Sequence, residues 1–169
     1  VTHVKLHVPG LHNVHNALAC LAACHFAGID VELAAQALET FHGTHRRFEN
    51  KGVVDGVTVV DDYAHHPTEI EATLHAARTI PHERDCGESQ TPPVSRTEAL
   101  LHEFAHALKL ADKVIVTDIY PAREVDLGEV SSLDLVRLVE KAQSDCMYIP
   151  SFFDVIDYLD KELLPGDIV

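Results

Sequence analysis

The feature that constrains the fold most is an alternation of predicted strands and helices from about residue 53 onward. Two short apolar runs, 53–54 and 57–60, flank Asp55-Gly56, a dipeptide typical of hairpin turns. Two further apolar runs, 114–116 and 147–149, have the composition of strands buried in a parallel sheet. Strands that alternate with helices form βαβ units with right-handed crossovers. The sequence therefore predicts an α/β fold: an open, mostly parallel sheet with helices on both faces.

Helix starts between these strands are marked by Pro and by capping patterns. Pro67 suits the first turn of a helix that we expect to reach about Thr79. Three Ser-x-x-acid patterns predict capping boxes, and the first would open one helix to about residue 110; they begin at Ser95, Ser131 and Ser151. The final residues, 168–169, have the character of the first residues of a further strand cut off by the chain end.

The N-terminal part has a different character. Apolar residues at helical spacing predict one helix over 11–27, ended near Gly28, and a second over about 31–41, ended by Gly43. Two short helices bury little apolar surface, so we expect them to pack on something outside this chain. The chain begins without Met, and an excised piece of a longer protein is the expectation.

Composition excludes several classes of function. Hydrophobic residues make up 46% of the 169 residues, enough for a core, and the formal net charge is -14. That charge argues against nucleic acid or an anionic membrane as the main partner. No apolar run approaches the roughly 20 residues that span a bilayer, and no signal peptide is recognised. Four cysteines without a disulfide framework favour a reducing, cytoplasmic location.

Polar clusters follow three predicted strands, at 61–67, 95–97 and 117–124. Ligands of open parallel sheets bind outside the carboxyl ends of the strands, so the topology places all three clusters on one rim. The first cluster, Asp61-Asp62-Tyr63-Ala64-His65-His66, could bind a ribose or a metal, or orient a substrate amine or carboxylate. Its alternative interpretation is a solvated strand-to-helix loop.

Arginines near the rim have two interpretations each. Arg123 could clamp a carboxylate or phosphate, or form a surface ion pair with a neighbouring acid. Arg96 stands at a predicted helix start, where a cation is unfavourable unless an anion is held there or the side chain points into water. Arg46-Arg47 could contact nucleotide phosphates or form a charged hinge.

Metal and phosphate-loop motifs are weak or missing. Cys20 and Cys24 share a helix face near His25, but both lie in an Ala/Leu stripe, where cysteine behaves as a small buried hydrophobe. Because the Cys-x2-Cys spacing of common zinc sites is missing, no protein-bound metal is predicted. The sequence contains no P-loop, no Gly-x-Gly-x-x-Gly and no Gly-x-Ser-x-Gly. From the residues alone, the chain is an α/β domain with a polar rim.

Taken in order, these segments resemble the Mur ligases of peptidoglycan synthesis. The run 10–19 is similar to the helix that closes the family's central ATP-binding domain, and 46–49 to the junction with its C-terminal domain. The run 61–70 is similar to that domain's first-strand motif; 95–97 and 117–124 resemble its substrate loops. The resemblance implies two parts: residues 1–45, a fragment of the central domain, and residues 46–169, an amino-acid-binding domain truncated at its end.

The resemblance also implies a reaction. The double histidine His65-His66, with Ser-Arg-Thr at 95–97, favours members that add L-alanine to UDP-N-acetylmuramate over members that recycle murein tripeptide. In such enzymes ATP phosphorylates the substrate carboxylate, Mg2+ offsets the phosphate charge, and the amine of L-alanine displaces phosphate. The implied partners are L-alanine, UDP-N-acetylmuramate, ATP and the missing N-terminal and central domains of the same polypeptide. Nucleic acid and membrane insertion are not expected.

Residue roles follow from the resemblance alone. They are a catalytic pair, an amino-acid-binding set that contains this pair, and a nucleotide-binding set. The catalytic residues are His65 and Arg96; the substrate-binding residues are Tyr63, His65, Arg96 and Arg123; and the ATP-binding residues are His12, Asn13, Asn16, Arg47 and Asp61.

Two departures from the family pattern limit these expectations. Without a P-loop, these residues alone are expected to have no ligase activity, and a non-catalytic binding module remains the alternative. The segment 85–94 replaces an expected apolar strand and the run Gln-Pro-His-x-Tyr, with Pro92 in place of His and Val94 in place of Tyr. Its polar residues and its two prolines predict a weak or missing strand, through divergence or through a local error in the sequence.

Overall fold

The computed structural model of the chain describes residues 2–124, 128–142 and 145–169. Within these residues it contains seven helices and five strands. The helices are α1 Leu11–Phe26, α2 Val31–Glu39, α3 Pro67–Ala77, α4 Val94–Ala99, α5 Leu101–Leu108, α6 Ser132–Lys141 and α7 Phe152–Glu162. The strands are β1 Glu49–Val54, β2 Val57–Asp61, β3 Cys86–Ser89, β4 Lys113–Val116 and β5 Asp145–Tyr148.

The strands form a mixed sheet in which the C-terminal residues join two parts. β1 and β2 form the predicted antiparallel hairpin, and β3, β4 and β5 are parallel in that order. Ile168 and Val169 run parallel between β2 and β3: the Val60 N–H donates to the Val169 carbonyl oxygen at 2.7 Å, and the Cys86 N–H donates to that of Ile168 at 2.9 Å. The α/β fold class is confirmed; at 168–169 the structure shows strand-like pairing, with Ile168 in isolated parallel bridges to Thr58 and Asp85, and no full strand.

The core lies between β4 and the helices packed around it. Phe104 from α5, Val114 from β4 and Leu135 from α6 are each at most 1% exposed. The four residues of β4 are all buried, as expected for a central parallel strand whose two faces are covered. This core fixes the C-terminal ends of β3 and β4, where the predicted rim lies.

One predicted helix differs from the structure. Ser95 does not cap a helix: α4 already begins at Val94, and the N–H and hydroxyl of Ser95 donate to the Glu124 carboxylate at 2.9 and 2.6 Å. The expected single helix is also interrupted at Leu100, whose φ is −125°, so α4 and α5 are separate. Glu124 is 29 residues away in sequence, and its competition for Ser95 is invisible to a local pattern.

The other two capping patterns are partly right. Ser131 begins α6 with the predicted box, in which the Asp134 carboxylate accepts from the Ser131 N–H and hydroxyl at 2.9 and 2.7 Å. Ser151 precedes α7 as expected, but its side chain makes no capping hydrogen bond.

The expectation of a weak or missing strand at 85–94 is wrong. β3 pairs with β4 along its whole length and is hydrogen-bonded on its other side to Ile168. Neighbours on both sides supply the pairing that its polar sequence does not favour by propensity. The prolines come after the strand, so they remove no ladder hydrogen bond. Thr91 beside them is fully buried, and its hydroxyl donates to the Thr117 carbonyl oxygen at 2.9 Å.

α1 and α2 pack on each other and leave much apolar surface exposed. Leu11, Leu18 and Phe26 are 69%, 58% and 90% exposed. The expectation that both cysteines of α1 are buried is wrong, since Cys20 is exposed and Cys24 is half-buried. No helix among the described residues is long and apolar enough to cross a membrane.

Candidate functional site

Two adjacent cavities lie at the predicted rim. The larger, of about 700 Å³, opens at the C-terminal ends of β2 and β3 and is called here the rim cavity. The smaller, of about 430 Å³, lies between the N-terminal helical part and the start of α3 and is called the junction cavity. Phe48 and Asp62 line both cavities, so one wall separates them.

The rim cavity brings together three residues predicted to bind the amino acid. Tyr63, His65 and Arg96 all line it. An Arg96 guanidinium nitrogen donates to the His65 carbonyl oxygen at 3.2 Å, which ties α4 to the loop that follows β2. The rings of Tyr63 and His65 are 5.0 Å apart. A guanidinium, a phenol and an imidazole therefore face one space, a set that can bind a carboxylate and handle a proton.

The tautomer of His65 follows from its hydrogen bond. Its Nδ1 lies 2.8 Å from the Tyr63 carbonyl oxygen, which can only accept, so Nδ1 carries a hydrogen. Glu69 lies 3.5 Å from the same nitrogen, and its carboxylate also accepts from the His65 N–H at 3.0 Å. That backbone hydrogen bond is the main reason that the pKa of Glu69 is lowered. In the neutral ring Nε2 then holds the lone pair, the form needed to accept a proton.

The junction cavity brings together four residues predicted to bind ATP. His12, Asn13, Asn16 and Arg47 line it. The Asn13 side-chain amide donates to the Pro9 carbonyl oxygen at 2.7 Å, and that of Asn16 donates to the Asn13 side-chain oxygen at 3.3 Å. These contacts fix the two side-chain amides at the start of α1, and both amides form part of the cavity wall.

Two predicted site residues lie away from their groups: Asp61 from the other predicted ATP-binding residues, and Arg123 from the other predicted substrate-binding residues. Asp61 lines the rim cavity and not the junction cavity. Arg123 is exposed and lines neither cavity. It follows Ala122, whose φ of 56° lies in the left-handed region that L residues rarely adopt, in a turn closed by a 2.9 Å hydrogen bond from the Glu124 N–H to the Pro121 carbonyl oxygen.

Three residues of this region have no place among the predicted catalytic, substrate-binding and ATP-binding residues, although Arg46 was considered as a phosphate contact and Asp62 belongs to the first polar cluster. Asp62 accepts from the Phe48 N–H at 2.9 Å and from the Ala64 N–H at 2.7 Å, so its carboxylate joins the segment before β1 to the loop after β2. Arg46 lines the rim cavity, and its guanidinium carbon lies 4.3 Å from the centre of the Tyr63 ring. Glu69 holds His65 and also pairs with Arg47 at 3.5 Å. The sequence shows all three as charged residues, but not which cavity each one faces.

Acidic groups near the rim have shifted pKa values in opposite directions. Glu88 lines the rim cavity; partial loss of water around its carboxyl raises its pKa, although the residue as a whole stays exposed. The hydrogen bonds from Ser95 lower the pKa of Glu124. Across the described ranges, no group of three or more His, Cys, Asp or Glu side chains is arranged to hold a metal ion.

Fold and rim together define the class: an α/β domain with a polar cavity at the strand ends, the usual place for a ligand in such sheets, beside a second cavity between the N-terminal helices and α3. The chain belongs to the Mur ligase family, since residues 46–169 match the family model described as "Mur ligase, glutamate ligase domain". Relatives include the UDP-N-acetylmuramate–L-alanine ligases of Caldanaerobacter subterraneus subsp. tengcongensis, 53% identical, and of Acetivibrio thermocellus, 47% identical. Each match covers 100% of this chain but only 37% and 36% of the relative.

Solved structures give the same family. The UDP-N-acetylmuramate–alanine ligase MurC of Thermotoga maritima superposes with a TM-score of 0.81 at 28% identity, covering 99% of this chain and 35% of that one. The murein peptide ligase of Psychrobacter arcticus gives a TM-score of 0.63 at 29% identity, covering 98% and 34%. The chain thus spans little more than a third of the proteins that it matches.

Proposed function

We propose that this chain is the amino-acid-binding part of an ATP-dependent ligase that joins L-alanine to the carboxylate of UDP-N-acetylmuramate in cytoplasmic peptidoglycan synthesis. The observation that carries the proposal is the contact between Arg96 and the His65 carbonyl oxygen at 3.2 Å. It brings a carboxylate-binding cation beside an imidazole that can take a proton. The names of the relatives at 53% and 47% identity support the same activity.

Three residues of the rim cavity then have proposed roles in amide formation. Arg96 binds the carboxylate of L-alanine, and Tyr63 bounds the space for its small side chain. In the reaction, the terminal phosphoryl group of ATP passes to the carboxylate oxygen of UDP-N-acetylmuramate and leaves ADP. The alanine nitrogen attacks the acyl carbon, the bond from that carbon to the phosphate oxygen breaks, and phosphate leaves. His65 accepts the proton that the amine loses, at Nε2.

The nucleotide is proposed to enter from the junction cavity. Asn13 and Asn16 can meet the edge of adenine, His12 its ring, and Arg47 a phosphate. The rest of the ATP site is assigned to the remaining domains of the polypeptide, because this sequence contains no P-loop. The exposed apolar residues of α1 and α2 support the proposal that residues 1–45 pack on the rest of an ATP-binding domain.

Magnesium has no ligand set in the described part of this chain. No step is therefore assigned to Mg2+ on these residues; its ligands would come from the remaining domains and the nucleotide phosphates. Arg123 lies outside both cavities, so no contact with the amino acid is assigned to it.

Two other functions compete with this one. A ligase that recycles murein tripeptide is one alternative; the murein peptide ligase of Psychrobacter arcticus superposes less well, with a TM-score of 0.63 against 0.81 for the alanine ligase of Thermotoga maritima. A non-catalytic binding module would use the rim alone. It leaves unexplained why the junction cavity gathers the residues of a family nucleotide site.

Binding of L-alanine to this chain tests the proposal. Nuclear magnetic resonance titration with L-alanine is expected to shift the signals of Tyr63 and His65, and Arg96→Gln is expected to weaken binding by about tenfold or more, the effect of losing a charge-assisted hydrogen bond. Arg137→Gln is the matched control, since it removes a guanidinium that pairs with Asp134 on α6. Equal binding by the two variants would contradict the proposal.

A ligation assay tests the proposal that the rest of the ATP site lies in the remaining domains of the polypeptide. With ATP, UDP-N-acetylmuramate and L-alanine, the 169 residues alone are expected to release no phosphate and form no product. Turnover by these residues alone would show that the ATP site is more complete than proposed.

A further inference from the structure

Three arginines stand apart from the others because they have no carboxylate within salt-bridge distance in the described part of the chain. Of the seven arginines, four pair with an acid: Arg47, Arg78, Arg84 and Arg137. The other three are Arg46, Arg96 and Arg123, and the first two line the rim cavity. In a chain with 27 acidic and 13 basic residues, an unpaired guanidinium at a cavity marks a place for an anion from outside the chain.

Arg46 is held in a conformation that costs energy. Its φ is 57°, in the left-handed region that disfavours side chains with a Cβ. Two hydrogen bonds maintain it: the Arg46 N–H donates to the Glu49 carboxylate at 2.9 Å, and the Arg46 carbonyl oxygen accepts from the Tyr63 N–H at 2.9 Å. The result directs the guanidinium over the Tyr63 ring, 4.3 Å from its centre, where a flat cation is stabilised without losing its charge.

Neighbouring arginines face different cavities. Arg46 lines the rim cavity and Arg47 lines the junction cavity, with Phe48 and Asp62 in the wall between. Arg47 is partly neutralised by Glu69 at 3.5 Å, whereas Arg46 is not. On the rim side, Arg46 is therefore the guanidinium that adjoins this wall in sequence and has no carboxylate partner among the described residues. Arg96 lies further on, beyond the Tyr63 and His65 rings.

We infer that Arg46 binds the phosphoryl group on the rim side of this wall, leaving Arg96 free for the amino-acid carboxylate. The inference rests on the proposed function, in which a phosphoryl group passes from nucleotide to substrate carboxylate. Arg46 forms and breaks no covalent bond itself; its planar donors hold the phosphoryl oxygens and offset their charge. Each of the two guanidiniums then serves one anion, and the Tyr63 and His65 rings keep the two anions apart.

Binding of inorganic pyrophosphate to the 169-residue chain tests the inference. Affinity is measured by isothermal titration calorimetry at constant ionic strength, with acetate as the carboxylate-only probe and the far-ultraviolet circular dichroism spectrum as a check on folding. The variants are Arg46→Gln, Arg46→Lys, Arg96→Gln and the matched control Arg137→Gln.

The expected result is saturable binding of pyrophosphate that Arg46→Gln weakens by about tenfold or more, with a smaller loss in Arg46→Lys because an ammonium keeps the charge and loses the paired donors. Arg137→Gln is expected to leave this affinity within about twofold, and Arg96→Gln to weaken it less than Arg46→Gln does. No pyrophosphate binding by the wild-type chain, equal losses in Arg46→Gln and Arg137→Gln, or acetate binding lost in Arg46→Gln would overturn the inference. Binding of L-alanine is measured separately, so a failure of the proposed function is distinguished from a failure of the inference about Arg46.

Discussion

Asp167 is the residue through which the C-terminal segment is fixed in the sheet, and Asp167→Asn is the most informative change to make. Its carboxylate accepts from the Arg84 guanidinium at 2.6 and 3.3 Å and from the Leu164 N–H at 2.8 Å. Asp167 is 3% exposed and directly precedes the two residues that lie between β2 and β3. The substitution is therefore expected to remove the ion pair with Arg84 and to weaken the attachment of residues 168–169 between β2 and β3.

The magnitude follows from burial on each side of the pair. Removing one partner of a buried ion pair costs about 3–5 kcal/mol. Arg84 is 31% exposed and can regain water, and Asn keeps one acceptor oxygen, so we expect a loss of about 2–3 kcal/mol. For a chain of this length that loss lowers Tm by about 5–10 °C.

The same pair predicts the direction of the pH dependence. Burial alone would raise the pKa of Asp167, but the Arg84 guanidinium and the Leu164 N–H outweigh it and hold the pKa below its usual value. The unfolded state therefore binds the proton more readily. The stabilisation is complete above the unfolded pKa of about 3.9 and is lost as the pH falls through the lower folded pKa.

Urea denaturation from pH 7 down to the acid range measures both effects. The control is Asp160→Asn, which removes the same charge from an exposed position of α7. At pH 7 the Asp167 variant is expected to lose the stated free energy and the control less than about 0.5 kcal/mol. Equal free energies for the two variants, or an unchanged acid limb in Asp167→Asn, would refute the reasoning.

Two further predictions concern the hairpin and the cysteines. Gly56→Ala is expected to cost about 2–3 kcal/mol in thermal or urea denaturation, because φ is 85° and a Cβ would lie 2.8 Å from that of Pro165. Gly28→Ala, with φ 76° and open space, should cost about 1 kcal/mol, and equal losses would contradict the contact argument. Burial raises the pKa of Cys146 to about 12, so a thiol reagent should modify exposed Cys20 in the native chain and Cys146 only on unfolding; mass spectrometry of native and denatured samples decides.

Local patterns predicted the elements whose determinants are close in sequence. Asp55 and Gly56 both adopt positive φ, 51° and 85°, which is the turn that their dipeptide favours between two twisted strands. Ser131 and Asp134 form their box because Ser131 binds one carboxylate oxygen of Asp134 and the only other side chain that binds this carboxylate in the described residues, that of Arg137, takes the other oxygen. Ser95 carries the same pattern and fails, because Glu124 takes its donors from another loop.

Pairing across the sheet could not be predicted in the same way. The segment 86–89 has poor strand propensity, yet it is held on one side by β4 and on the other by Ile168. Strand formation there depends on two neighbours, one of them about 80 residues away in sequence. Propensity describes how a side chain suits a pleated surface, and context of this kind overrides it.

The candidate site was predictable as a rim but not as two cavities. The strand-end rule brought Tyr63, His65 and Arg96 into one region, where they line one cavity. It could not separate Arg46 from Arg47, because adjacent residues face different spaces only through the backbone conformation at the junction. Nor could it place Arg123, whose position depends on a turn with Ala122 at positive φ.

The wall between the cavities joins two chain segments, residues 46–48 and residues 62–64, by hydrogen bonds. One carboxylate, that of Asp62, binds the Phe48 N–H on the junction side and the Ala64 N–H on the rim side. The Tyr63 N–H binds the Arg46 carbonyl oxygen, so the same two segments are joined twice. A ligand that moves Phe48 from the junction cavity must therefore also move the backbone that carries Arg46 and Tyr63. If the proposed function holds, we expect nucleotide binding in the junction cavity to change the geometry of the amino-acid cavity through this short wall.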